Sequence, residues 1–227
     1  MKVGVVTFPG TTDDSDIVNA VLAVGGEPVI LHDGDRTLRD VEAVVLPGGA
    51  SFGDFLRPGA LARFTPVVDA IVQQARDGMP VLGIGNGFQV LCESRLLPGA
   101  LTSHAGDEYL SVEQRVRVAT RDTVWTNQFA AGEEVMMALT CGSGRYIATP
   151  GVLEQLEASD QIVFRYVGTN PTGSAHDIAG ITNERGTVVG LMAHPECSAN
   201  EADSSSVDGR RFFSSLEIFL DVVSNPR

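Results

Sequence analysis

Two short segments of this chain carry the residue types and spacing that chemistry needs. The first is Gly83-Ile84-Gly85-Asn86-Gly87. The apolar run Val81 to Ile84 reads as a buried strand, and Phe88 to Glu93 has the composition of a helix. The residues between leave almost no room for a turn. A strand-to-helix turn that sharp holds its middle residue in a strained backbone at a helix N-terminus. That place suits a nucleophile, because the helix end stabilises negative charge. Here it is filled by Gly85, which has no side chain. The second segment is His194-Pro195-Glu196. A spacing of two puts His and Glu on one side of an extended segment. A histidine oriented by a carboxylate can take up a proton.

The first segment resembles the nucleophile turn of the triad-type (class I) glutamine amidotransferases, Gly-Ile-Cys-Asn-Gly-Phe-Gln. Within that superfamily the chain is most similar to the glutaminase subunit of phosphoribosylformylglycinamidine synthase, from purine biosynthesis. Val6 to Gly10 fits the family's first strand and loop. Leu46 to Arg57 fits its Pro-Gly-Gly-Phe-Ser-Tyr-Gly-Asp-Tyr-Leu-Arg signature. Leu96 to Leu101, Gly144 to Tyr146, Asn170 to Ser174 and Gly190 to Glu196 fit later blocks.

The resemblance implies one domain over residues 1–227, a doubly wound, mostly parallel α/β sheet of the flavodoxin-like kind. It implies that His194 is the base and Glu196 its orienting carboxylate, with Gly85 at the degenerate nucleophile position. Gly48, Gly49 and the N–H of Asn86 would form the oxyanion site, and Gln89 would contact substrate. ATP and Mg would bind a partner synthetase subunit, because this chain has no P-loop. The expected partners are that synthetase and glutamine or a related small molecule, in the cytoplasm.

The sequence departs from the family pattern at more than Gly85. Ala50 stands for the Phe after Pro-Gly-Gly. Ser103-His104 stands for Arg-Asn, Ser143 for Glu, and Ala193 for Pro. These changes are expected to gather around the glutamine pocket, as in a subunit released from glutaminase chemistry. Three alternatives stay open: a non-enzymatic binding or regulatory subunit, a diverged enzyme that uses His194 and Glu196 on another substrate, and an ordinary glutaminase in which Gly85 is an engineered or erroneous residue. Cys197 is the best replacement thiol by position. Alternation along an extended segment would turn it away from the Glu196 face.

Composition sets the frame. The chain has 227 residues, 43% of them hydrophobic, enough for an ample core. A net charge of -13 argues against a nucleic-acid surface. Cys92, Cys141 and Cys197 have neither disulfide nor zinc-motif spacing, so no metal is expected and the thiols read as reduced. No run approaches the roughly 18 apolar residues of a membrane span. The chain opens directly on a strand, without signal-peptide form.

The elements that must position the two segments follow from periodicity. Strands are expected at Val3 to Phe8, Glu27 to Leu31, Ala43 to Leu46 and Val81 to Ile84. Helices are expected at Asp13 to Val24 and Leu61 to Arg76. Such alternation implies parallel pairing, with the ligand site at the strands' carboxyl ends. Further strands are expected at Val112 to Thr120, Tyr146 to Ala148, Ile162 to Val167, Ile178 to Thr182 and Val188 to Met192. Arg210 to Val223 reads as a closing helix. Ser198 to Asp208, polar and acidic, reads as a mobile loop.

Overall fold

The computed structural model describes residues 1–104, 108–199 and 207–224. Most of the expected Ser198 to Asp208 loop lies outside the described residues.

The first half alternates strands and helices. β1 (Lys2–Thr7), α1 (Asp14–Ala23), β2 (Glu27–His32) and β3 (Ala43–Leu46) are followed by α2 (Pro66–Arg76), β4 (Val81–Ile84) and α3 (Asn86–Glu93). The second half adds β5 (Ala100–Ser103), β6 (Leu110–Val118), β7 (Glu134–Cys141), β8 (Ser143–Ile147), α4 (Pro150–Ala158), β9 (Ile162–Tyr166), β10 (Ile178–Thr182), β11 (Val188–Leu191) and α5 (Arg210–Ser224).

Nine strands form one sheet in the order β2-β1-β3-β4-β11-β10-β9-β6-β7, and β5 pairs with β8 in a small second sheet. From β2 to β11 the neighbours run parallel. From β11 to β7 they run antiparallel. Burial explains the division. Every residue of β3, β4 and β11 is buried, as parallel strands covered on both faces require. Outer strands β6 and β7 alternate between buried and more accessible positions, the mark of a sheet with one wetter face.

The expected helix from Leu61 to Arg76 is two elements. A short 3-10 turn covers Ala62–Phe64, Thr65 is extended, and α2 begins at Pro66. Proline lacks the N–H that a helix interior needs, so it starts the helix instead.

Behind the sheet, Phe129, Phe164 and Phe212 pack ring against ring. Trp125 is fully buried, and its indole N–H donates to the Thr187 carbonyl at 3.3 Å. Among the described residues no helix is long and apolar enough to cross a membrane.

Candidate active site

The site is made by the carboxyl ends of three adjacent strands. β4 lies between β3 and β11, with Leu46 beside Gly83 and Ile84 beside Leu191. The Gly85 N–H continues the ladder to the Leu191 carbonyl at 2.9 Å. Residues just past these ends therefore converge: Gly48 and Gly49 from β3, Gly85 from β4, His194 from β11. The far edge of the sheet also contributes. The His194 N–H donates to the Ala138 carbonyl of β7 at 2.8 Å.

Gly85 sits at the strand-to-helix turn with φ 53° and ψ -109°. A side chain is strained at such angles, costing about 1–3 kcal/mol. A Cβ built there would lie 3.1 Å from Cε1 and Nε2 of His194. The two sequence segments thus meet as expected. What faces the histidine is bare backbone.

His194 and Glu196 are both buried, with 2% and 3% of their surface exposed. The pair does not lie along an extended segment. Pro195 is in the helical region and Glu196 opens a 3-10 turn, Glu196–Ser198. That turn also corrects the expected direction of Cys197. Successive side chains on a 3-10 turn do not alternate as on a strand. A ring nitrogen of His194, a carboxylate oxygen of Glu196 and the Cys197 sulfur lie within 4.8 Å of one another.

The hydrogen bonds of His194 define its charge. Nδ1 is 2.7 Å from Glu196 Oε1 and 3.4 Å from Asp13 Oδ2. Nε2 is 3.2 Å from the Thr140 carbonyl. Carboxylates and a carbonyl only accept, so these surroundings favour a ring that donates from both nitrogens. Burial works against that charge. The charge and hydrogen bond of Glu196, with Asp13 and Thr140, outweigh it and lift the pKa to about 9.

Above it lies a cavity of about 360 Å³. Gly49, Gly85, Asn86, Gln89 and His194 line it, together with Asp13 and Asp54. Gly48 lies just behind: a Cβ there would stand 2.1 Å from Asp13 Oδ2 and 2.7 Å from His194 Cε1. Asn86 begins α3, whose first N–H groups lack intrahelical partners. Its side chain accepts from the Ser51 N–H and donates to Asp54 and Gln89. Gln89 faces the cavity, yet its amide is engaged: it donates to the Ser143 carbonyl at 2.6 Å and accepts from Asn86 at 2.9 Å. Burial pushes the Asp54 carboxyl up despite the Asn86 bond.

Of the divergent positions, Ala50 and Ser143 line the cavity, and Ser103 lies 3.5 Å from Ser143, hydroxyl to hydroxyl. Ala193 is buried beside it in sequence, and His104 is buried on the Glu108 carbonyl. No thiol is poised to replace the missing one. Cys92 is sealed in the core, where burial raises its pKa. Cys141 lines the cavity, but burial pushes it up to about 11. Burial, then the charges of Glu196, Asp16 and Asp13, push Cys197 up to about 12.

Asp13, Asp54 and Thr140 did not stand out in the sequence. Asp13 carried one usable signal: it follows β1 into a loop at the same carboxyl end as the two glycine clusters.

Comparison with known proteins agrees with this geometry. Residues 1–223 match the CobB/CobQ-like glutamine amidotransferase domain. The PurQ subunit of phosphoribosylformylglycinamidine synthase from Frankia casuarinae is 53% identical, covering 99% of this chain and 97% of that protein. Its counterpart from Rhodococcus jostii is 51% identical, covering 95% and 96%. A chain in the structure of PurLQS from Thermotoga maritima superposes with a TM-score of 0.88 at 37% identity, covering 96% of this chain and 98% of that one. With these matches over nearly the full length, the chain belongs to the PurQ family of glutamine amidotransferase domains.

Proposed function

We propose that this chain is the glutaminase-type subunit of a phosphoribosylformylglycinamidine synthase complex, and that its own glutamine hydrolysis has been lost. The observation that carries this reading is Gly85. Thiol-dependent amide hydrolysis needs a nucleophile at the elbow beside the histidine. Here that position carries no side chain. The backbone donors around Gly49 and Asn86 need no side chain of their own, so the cavity keeps a capacity for polar ligands.

The complex would supply what this chain lacks. ATP and Mg would bind the synthetase, and ammonia would come from solution or another source. The loop before α2 is suited to the contact. Phe55, Leu56 and Phe64 are 70%, 77% and 70% exposed. Phe52, Asp54 and Leu56 all have positive φ, a strain that the surroundings must hold in place. Asp54 is tied to Asn86 at one end of α3, and Arg57 to Glu93 at the other.

The test is ammonia release from glutamine by the purified chain, alone and with its synthetase. Expected is no release above background, with synthetase turnover supported by ammonium salts and not by glutamine. Robust glutamine-dependent turnover would refute the loss of activity. The second reading, a binding subunit, is favoured by the intact cavity. It predicts glutamine binding by calorimetry without hydrolysis.

A further inference from the structure

We propose that His194, Glu196, Cys197 and Asp13 form a binding site for a zinc-class divalent metal at the base of the cavity. The inference does not rest on the loss of glutamine hydrolysis.

The donor set comes first. A ring nitrogen of His194, a Glu196 carboxylate oxygen and Cys197 Sγ lie within 4.8 Å of one another, and Asp13 Oδ2 is 3.4 Å from Nδ1. One nitrogen, one sulfur and two carboxylates suit zinc, which accepts all three kinds of ligand in a tetrahedron. Magnesium and calcium favour oxygen alone. Ligands at about 2.0–2.3 Å from a common zinc stand roughly 3.3–3.8 Å apart. A spacing of 4.8 Å needs a contraction of about 1–1.5 Å, within the reach of Cys197 and Asp13, which are not fully buried.

Two further observations point to a cation. Glu196 Oε2 is buried and has no hydrogen-bond partner among the described residues. A buried carboxylate oxygen left without a donor costs about 1–3 kcal/mol or more, and a metal would satisfy it. The second is the orientation of His194. A histidine that binds metal through one nitrogen usually donates its other N–H to a carbonyl or carboxylate. Nε2 here faces the Thr140 carbonyl, which leaves Nδ1 on the side of the two carboxylates. Asp13 and His194 also line the cavity, which provides the entry path. Binding would release the proton on Nδ1 and the thiol proton of Cys197 to solvent, with the metal taking their place.

The experiment uses the full chain, kept reduced and stripped of metal by a chelator, and titrated with Co²⁺. Expected are a thiolate-to-cobalt charge-transfer band and tetrahedral visible bands that saturate at a single ion per chain and vanish on adding Zn²⁺. Cys197→Ser should lose the charge-transfer band, and Cys141→Ser should keep it. Asp13→Asn and Glu196→Gln should weaken zinc binding by about tenfold or more. Circular dichroism checks that each variant is folded. If Cys197→Ser does not fold, Asp13→Asn decides: a zinc-induced rise in melting temperature should appear in the parent chain and shrink in the variant. Failure of the parent chain to bind either metal, or a charge-transfer band that persists in Cys197→Ser, would overturn the site.

Discussion

A Cβ built on Gly85 would stand 3.1 Å from both Cε1 and Nε2 of His194. That separation is tighter than ordinary van der Waals contact, so the ring occupies the margin a side chain would need. The bare backbone at Gly85 and the placement of the histidine are one feature: the ring lies close over a turn that carries no side chain and bonds to the Thr140 carbonyl.

Gly85→Cys should therefore not restore activity. It places a side chain at φ 53° and presses it on the buried His194 ring. The expected result is a stability loss of about 1–3 kcal/mol, with glutamine hydrolysis still at background. Denaturant melts and an ammonia assay measure both. Full activity would show that the pocket, despite Ala50, Ser103 and Ser143, had lost only its thiol.

The pH dependence follows from His194. Its folded pKa, about 9, lies above the ordinary 6.5. The folded state then holds a proton that the unfolded state gives up first. This contribution to stability is complete below pH 6.5 and is lost as pH rises through 9. The upper bound is on the order of 3 kcal/mol. Denaturation measured across this window should show the decline, and His194→Gln should flatten it.

Gly48→Ala should strike the same network from the other side. Its Cβ would fall 2.1 Å from Asp13 Oδ2. Overpacking of this kind costs about 1–3 kcal/mol. Because the clash is with a named oxygen, Asp13→Ala should relieve part of it. A double-mutant cycle with no coupling between the two would contradict the geometry.

On the surface, Phe55→Asp and Leu56→Asp should leave the melting temperature nearly unchanged, since both side chains are exposed. Binding to the synthetase should weaken by roughly 30-fold or more, if these residues carry the weight of central interface anchors. Surface plasmon resonance with the intact partner measures it.

The parallel half of the fold was legible in the sequence because burial on both faces writes a continuous apolar run. β3 and β4 lie at the bounds that the apolar runs predict. The elbow was legible for a similar reason: its glycines are local. β7 was missed because Glu134–Cys141 mixes Met, Ala and Thr and lacks a strong strand composition. α4 was missed because only Leu156 is buried along it, which leaves almost no periodicity. The convergence of Asp13, Thr140 and Cys197 on His194 was not legible. It depends on a turn at Pro195 and on a strand that reaches the site from the far side of the sheet.

The buried Trp125 has a practical consequence. It is the chain's single tryptophan, held on Thr187 just before β11, whereas His194 follows the other end of that strand. At about 3.3 Å per residue the indole and the cavity floor are separated by on the order of 15 Å. Intrinsic fluorescence is thus a reporter of global unfolding that is blind to events at the cavity. Emission should shift to the red when the sheet opens and stay constant when a ligand or metal enters. Occupancy and stability can be followed in the same sample by separate signals.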